Sequence, residues 1–154
     1  MQKVVTDTSI FLRALITSDG TIAELILNPK FKFSKFAPYF LFVEVLKNKE
    51  KILASTKFGQ EVFLDNFYLL SRRIRFINEE LIPKDILRSS YELVEDIDPK
   101  DFLFVALAEY LNARLWTSDK ELISDLLKKG KDIFITKGWA ISIDLLIFKF
   151  RLNG

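Results

Sequence analysis

Apolar residues follow two rhythms along this chain, and the rhythm changes where turn-forming residues stand. A short apolar run at Lys3 to Thr6 predicts a buried strand, which passes directly into a helix through about Ile16. Thr21 to Leu27 suggests a second, short helix, and Phe31 to Phe36 a second strand. From Pro38 to about Ser55 the apolar positions recur at helical spacing, and Phe58 to Ser71 continues as another helix before the β-like Ile74-Arg75-Phe76-Ile77. Pro83 separates that strand from a helix at Lys84 to Val94. Asp98-Pro99-Lys100-Asp101 then opens a helix running to about Leu111, and Arg114 to Thr117 is the next strand. The helix from Asp119 to Lys129 stops at Gly130; Ile133-Phe134-Ile135 reads as the last strand and Gly138 to about Phe150 as the final helix. Strands separated by helices predict a mainly parallel sheet covered on both faces, a three-layer α/β/α sandwich.

Composition narrows the chemistry more than it narrows the fold. At 154 residues, with no convincing repeat or long linker, the expectation is one domain spanning residues 1–154. There is no Cys, which excludes disulfides, thiolate catalysis and sulfur-ligated zinc. There is no His, which removes the commonest general base and the commonest transition-metal ligand. What remains is carboxylate, Lys, Arg, Tyr, Ser and Thr chemistry, and carboxylate oxygens suit hard cations such as Mg²⁺ or Mn²⁺. The net charge of +2 is too small to draw nucleic acid by bulk attraction, so any such site must be local. The first apolar run is broken by Asp7 too early for a secretory signal, and the longest uninterrupted apolar stretch, Phe102 to Ala108, is far short of a bilayer span. The expected location is the cytoplasm, with no membrane association.

Four acids stand where a parallel sheet places chemistry. Asp7 ends the first strand, and ligands of open parallel sheets bind beyond the carboxyl ends of the strands; as a helix-initiating cap it would need no further role. Asp119 follows Leu115-Trp116-Thr117 in the same kind of junction, although Ser118 and Glu121 could form a capping box that leaves Asp119 to complement the helix dipole. In Asp98-Pro99-Lys100-Asp101, Asp98 is assigned to the cap, and Asp101 is either a dipole complement or a ligand. Glu44 lies within Phe40-Leu41-Phe42-Val43-Glu44-Val45-Leu46, at the rim of a solvated face or aimed at a site. Taken together, these acids project toward one sheet edge, where like charges about 4 Å apart repel by roughly 4 kcal/mol at an effective dielectric of about 20. Such a group calls for a cation.

These residues resemble those of a known family. Val4-Val5-Thr6-Asp7-Thr8-Ser9 looks like the opening of PIN domains, Glu44-Val45-Leu46 is similar to their helical acid, Asp101-Phe102-Leu103-Phe104-Val105-Ala106-Leu107-Ala108 to their third motif, and Trp116-Thr117-Ser118-Asp119 to their fourth. The resemblance spans residues 1 to about 136. It implies the family's α/β/α fold and a metal-dependent endoribonuclease activity, with Asp7, Glu44, Asp101 and Asp119 as the catalytic metal site and Ser9 and Thr117 as supporting hydroxyls. Structurally, Ser9 could equally be an early-helix polar residue and Thr117 an ordinary strand residue. One or two Mg²⁺ or Mn²⁺ ions would activate a water for attack on a phosphodiester. Many small stand-alone members are toxins neutralised by an antitoxin protein, while others mature ribosomal RNA, so RNA and an antitoxin are the partners implied.

Contact with RNA asks for cations, and two basic clusters offer them. Lys30-Phe31-Lys32-Phe33-Ser34-Lys35-Phe36 interleaves charge and rings, a pattern that serves either a phosphate surface carried by Lys32 and Lys35 or an amphipathic strand. Arg72, Arg73 and Arg75 form the second cluster, and their alternative role is to complement a helix end. Two other functional classes compete with the nuclease: a non-catalytic RNA-binding or partner-binding domain of the same fold, and a receiver-like or haloacid-dehalogenase-like phosphotransfer domain. The latter expects a second Asp two residues after Asp7, where this chain has Ser9. In the last predicted helix the apolar residues exceed the stripe that one core-facing side needs, which predicts a homodimer through that helix.

Overall fold

The computed structural model describes residues 2–17 and 19–135. The final helix predicted at Gly138 to about Phe150, and the dimer surface assigned to it, lie outside the described residues.

Four parallel strands form the centre: β1 (Lys3–Thr6), β2 (Ser34–Pro38), β3 (Arg75–Ile77) and β4 (Arg114–Trp116), in the order β3-β2-β1-β4. Every pairing is parallel, with Val5 opposite both Phe36 and Leu115. Because the first strand is central, both of its faces are covered, and Val4, Val5 and Thr6 are all fully buried. One helical layer is built from α1 (Thr8–Ile16), α2 (Thr21–Leu27), α3 (Phe40–Lys47), α4 (Lys49–Ser55) and α5 (Gln60–Ser71). The other is built from α6 (Lys84–Val94), α7 (Phe102–Leu111) and α8 (Lys120–Lys128), with α7 packed on β1 and β2. The expected three-layer α/β/α architecture is the one observed. Phe11, Leu15, Phe63, Leu107, Leu115 and Leu122 are among its fully buried side chains.

Three elements depart from the sequence reading. The second strand begins at Ser34, not Phe31, because residues Asn28 to Phe33 are spent in turns: the Lys30 amide donates to Asn28 Oδ1 at 3.0 Å and the Phe33 amide to the Phe31 carbonyl at 3.1 Å. The long helix expected from Pro38 to Ser55 is interrupted at Asn48, whose side-chain amide donates to the Glu44 carbonyl at 2.7 Å and competes for a helical acceptor. Ile133 to Ile135 adds a single parallel bridge, Leu115 to Phe134, in place of a full strand among the described residues.

Candidate active site at the carboxyl edge of the sheet

Strand parallelism decides where the acids meet. All four strands point their carboxyl ends the same way, so Asp7 after β1, Asp119 after β4 and the helix starts that follow lie along one edge. Glu44 reaches that edge from the second turn of α3, and Asp101 from the short 3-10 turn Pro99–Asp101 that leads into α7. The amide at the start of α3 is held by Glu79, which accepts from Phe40. Glu79 is thereby committed to a cap.

Asp7 is buried and its carboxylate is densely bonded. Its Oδ1 accepts from the Ile10 amide at 3.0 Å and from the Ser9 hydroxyl at 2.6 Å. Burial pushes the Asp7 carboxyl up, the bonds from Ser9, Thr117 and Ile10 hold it down, and the charge of Asp119 adds to the rise. The hydroxyl of Ser9 also accepts from the Ser118 amide at 3.1 Å, tying the β1 end to the β4 end. Thr117 accepts from the Asp119 amide at 3.0 Å through Oγ1. Ser9 and Thr117 are therefore bound to the site acids themselves.

Asp119 is the N-cap of α8, its Oδ1 taking the Glu121 and Leu122 amides at 3.1 Å each. The capping box centred on Ser118 does not form; the acid itself is the cap. Glu44 is half-buried and accepts from the Thr8 hydroxyl at 2.6 Å. Burial raises its carboxyl, Thr8 lowers it, and Asp7 and Asp98 raise it further against the opposing charge of Lys100. Nothing in the sequence pattern singled out Thr8 or Lys100; for Thr8 the one available signal was its position one residue after Asp7.

Asp101 is the focus of the acidic field. Its carboxyl is pushed up to about 7, first by burial, then by the charges of Asp98, Asp119, Asp7 and Glu44. Its Oδ2 is buried without a hydrogen-bond partner, and its side chain caps no helix amide. Asp98 takes the cap as expected, accepting from the Lys100 amide at 3.0 Å. It is nevertheless the strongest charge acting on Asp101, so the cap is also part of the site's field. Among the described residues no three acidic side chains form a ready-made metal cage. The four acids are joined by a shared field, with one unsatisfied oxygen at its centre.

The basic candidates stand elsewhere. Lys35 and Arg75 sit at the amino ends of β2 and β3, and Arg72 and Arg73 in the turn before β3. Lys32 is exposed, just ahead of β2. With a rise of about 3.3 Å per residue, β2 puts its two ends roughly 13 Å apart. The structure does not bring these cations to the acids, because the same parallelism that collects the acids at one edge sends them to the other.

Comparison with known proteins fits this geometry. A family model described as the PIN domain matches residues 5–133. Among solved structures, the crystal structure of VapBC2 from Rickettsia felis bound to a DNA fragment from their promoter is similar in fold, with a TM-score of 0.65 and 17% sequence identity over 87% of this chain and 98% of that chain. No curated protein matches the sequence.

Proposed function

The chain belongs to the PIN domain family, and from that premise we propose that it is a divalent-metal-dependent endoribonuclease acting as one domain over residues 1–154. Asp7, Glu44, Asp101 and Asp119 are its catalytic carboxylates, and Mg²⁺ or Mn²⁺ is its ion. The observation that carries the reading is Asp101: a carboxyl raised to about 7 first by burial and then by four neighbouring acids, with an orphaned Oδ2. A buried acceptor without a donor is costly, and so is a carboxylate held among carboxylates. A cation relieves both. The donor set is oxygen only, which suits a hard cation such as Mg²⁺ or Mn²⁺.

An ion held by these carboxylates would supply Lewis-acid activation of water for hydrolysis of a phosphodiester. The chain's own residues prepare the site. Ser9, Thr117 and the Ile10 amide fix Asp7, while Thr8 orients Glu44. Asp101 releases its proton as the pH passes about 7, which makes its carboxylate available. Asp119 is anchored by two amides at the start of α8.

The biological setting we propose is that of a toxin in a toxin-antitoxin pair in the cytoplasm, with RNA as substrate, an antitoxin protein as partner and a homodimer as the assembled state. The fold likeness to VapBC2 supports the setting. No helix among the described residues is long and apolar enough to cross a membrane. Thermal melting with and without Mn²⁺ tests the metal site: the native protein should melt higher with the ion, through linkage to the folded state. A quadruple Asn/Gln variant of the four acids should lose the response, and equal shifts in both proteins would reject the site.

A further inference from the structure

At the amino edge of the sheet, opposite the acids, Lys35, Arg72, Arg73 and Arg75 line a groove of about 450 Å³ together with Phe33, Ser34, Phe36 and Ile74. A second groove of about 370 Å³, lined by Leu27, Leu69, Arg72 and Arg73, shares both arginines with the first. The two make one track with Arg72 and Arg73 at its middle. No acid lines it, and none of the four cations makes an ion pair among the described residues. Lys35 is partly buried beside Arg73, and both burial and that like charge hold its ammonium below the usual lysine range.

An end-of-helix role accounts for part of this, since Arg72 caps α5 and a cation there complements the dipole. It does not account for Arg75 on β3 or Lys35 on β2, which have no helix end to serve. The rings decide what kind of anion fits. Phe33 and Phe36 are buried, and Lys35 and Arg75 already lie over them at 4.6 and 5.8 Å from the ring centroids. Phe33 and Phe36 thus offer no open face for a base to stack on, and the exposed Tyr68 beside the track already carries Arg72 over its ring at 5.5 Å. What the track offers is a row of positive charge with its cations braced from below, a surface for a regularly charged polymer.

We propose that this track binds the sugar-phosphate backbone of a single-stranded nucleic acid, without reading its bases, remote from the catalytic edge. The proposal shares with the nuclease reading only the class of ligand and requires no turnover. Because a single strand contributes about 0.7 to the salt slope for each phosphate neutralised, losing three contacts flattens the plot of log affinity against log salt by about 2.

Fluorescence anisotropy of a labelled single-stranded RNA, in chelator so that nothing is cut, makes the test. Arg72→Gln/Arg73→Gln/Arg75→Gln alters exposed side chains and should fold with unchanged circular dichroism. It should bind roughly tenfold or more weakly, with the flattened slope. Asp7→Asn/Asp101→Asn should bind as the wild type does or more tightly, which keeps a failure of the catalytic reading separate from a failure of this one. Single-stranded DNA of the same sequence should bind comparably. Unchanged affinity and slope in the triple variant overturn the proposal. So does competition by millimolar inorganic phosphate, which would mark a small-anion site, or by a polyglutamate peptide as strong as that by RNA, which would mark a surface for an acidic protein segment.

Discussion

Replacing Asp101 with Asn keeps the shape of the side chain and removes the charge that the fold most opposes. Between pH 3.8 and about 7 the unfolded chain has an ionised Asp101 while the folded chain holds its proton. The unfolded state therefore binds fewer protons, so this residue makes stability fall as pH rises across that window, with the full loss reached above about 7. The displacement corresponds to about 4 kcal/mol at 1.36 kcal/mol per pH unit, and solvent screening of this part-exposed carboxyl reduces it to about 1–2 kcal/mol. Without metal, Asp101→Asn should thus be more stable than the wild type at pH 8 by about that amount, a rise of roughly 2–8 °C in Tm for a chain of this size. Well below pH 3.8, where the wild-type carboxyl is protonated in both states, the gain should vanish. Differential scanning calorimetry in chelator at several pH values measures this directly. A variant less stable than the wild type at pH 8, or a difference that does not change with pH, would refute the view that Asp101 sits in a repulsive field held for function.

Asp98→Asn separates cap from charge, since Asn caps as well as Asp. The 3-10 turn should persist, the Asp101 carboxyl should titrate lower, and RNA cleavage should stay within about tenfold of the wild type with its acid limb moved to lower pH. A loss as large as that in Asp101→Asn would show Asp98 to be a ligand. Thr8→Val removes the 2.6 Å bond to Glu44 and should cost about 1 kcal/mol, the lower range for a partly exposed charged hydrogen bond. It should also shrink the Mn²⁺-induced rise in Tm, whereas an unchanged rise would mean that Glu44 needs no positioning.

The sequence offers Asp7 as a helix cap or a site residue and Asp119 as a dipole complement beside a Ser118 cap, and in the structure both acids are N-caps. Asp7 spends its Oδ1 on Ile10 and Ser9, and Asp119 its Oδ1 on two amides, yet a carboxylate has a second oxygen, so a cap at a strand end can also serve a site. Parallel topology was legible because buried strands read as apolar runs between helices. The second strand was misplaced because the alternation of Lys and Phe from Lys30 to Phe36 imitates an exposed strand, whereas the observed strand is central and buries Phe36, Ala37 and Pro38 in succession. Which edge the cations occupy depends on strand direction and register, set by pairings such as Lys3 with Ser34, and local pattern does not carry that information. Thr8 and Lys100 escaped notice because each acts across elements, Thr8 on Glu44 thirty-six residues away.

Cleavage of single-stranded RNA under defined divalent metal bears most directly on the central claim. With Mg²⁺ or Mn²⁺ the native protein should cut the strand internally. With a chelator it should spare it, and Asp7→Asn or Asp101→Asn should lower the rate by about two orders of magnitude or more while retaining the native circular dichroism. Cleavage that survives the chelator, or folded acid variants as active as the wild type, would contradict the account.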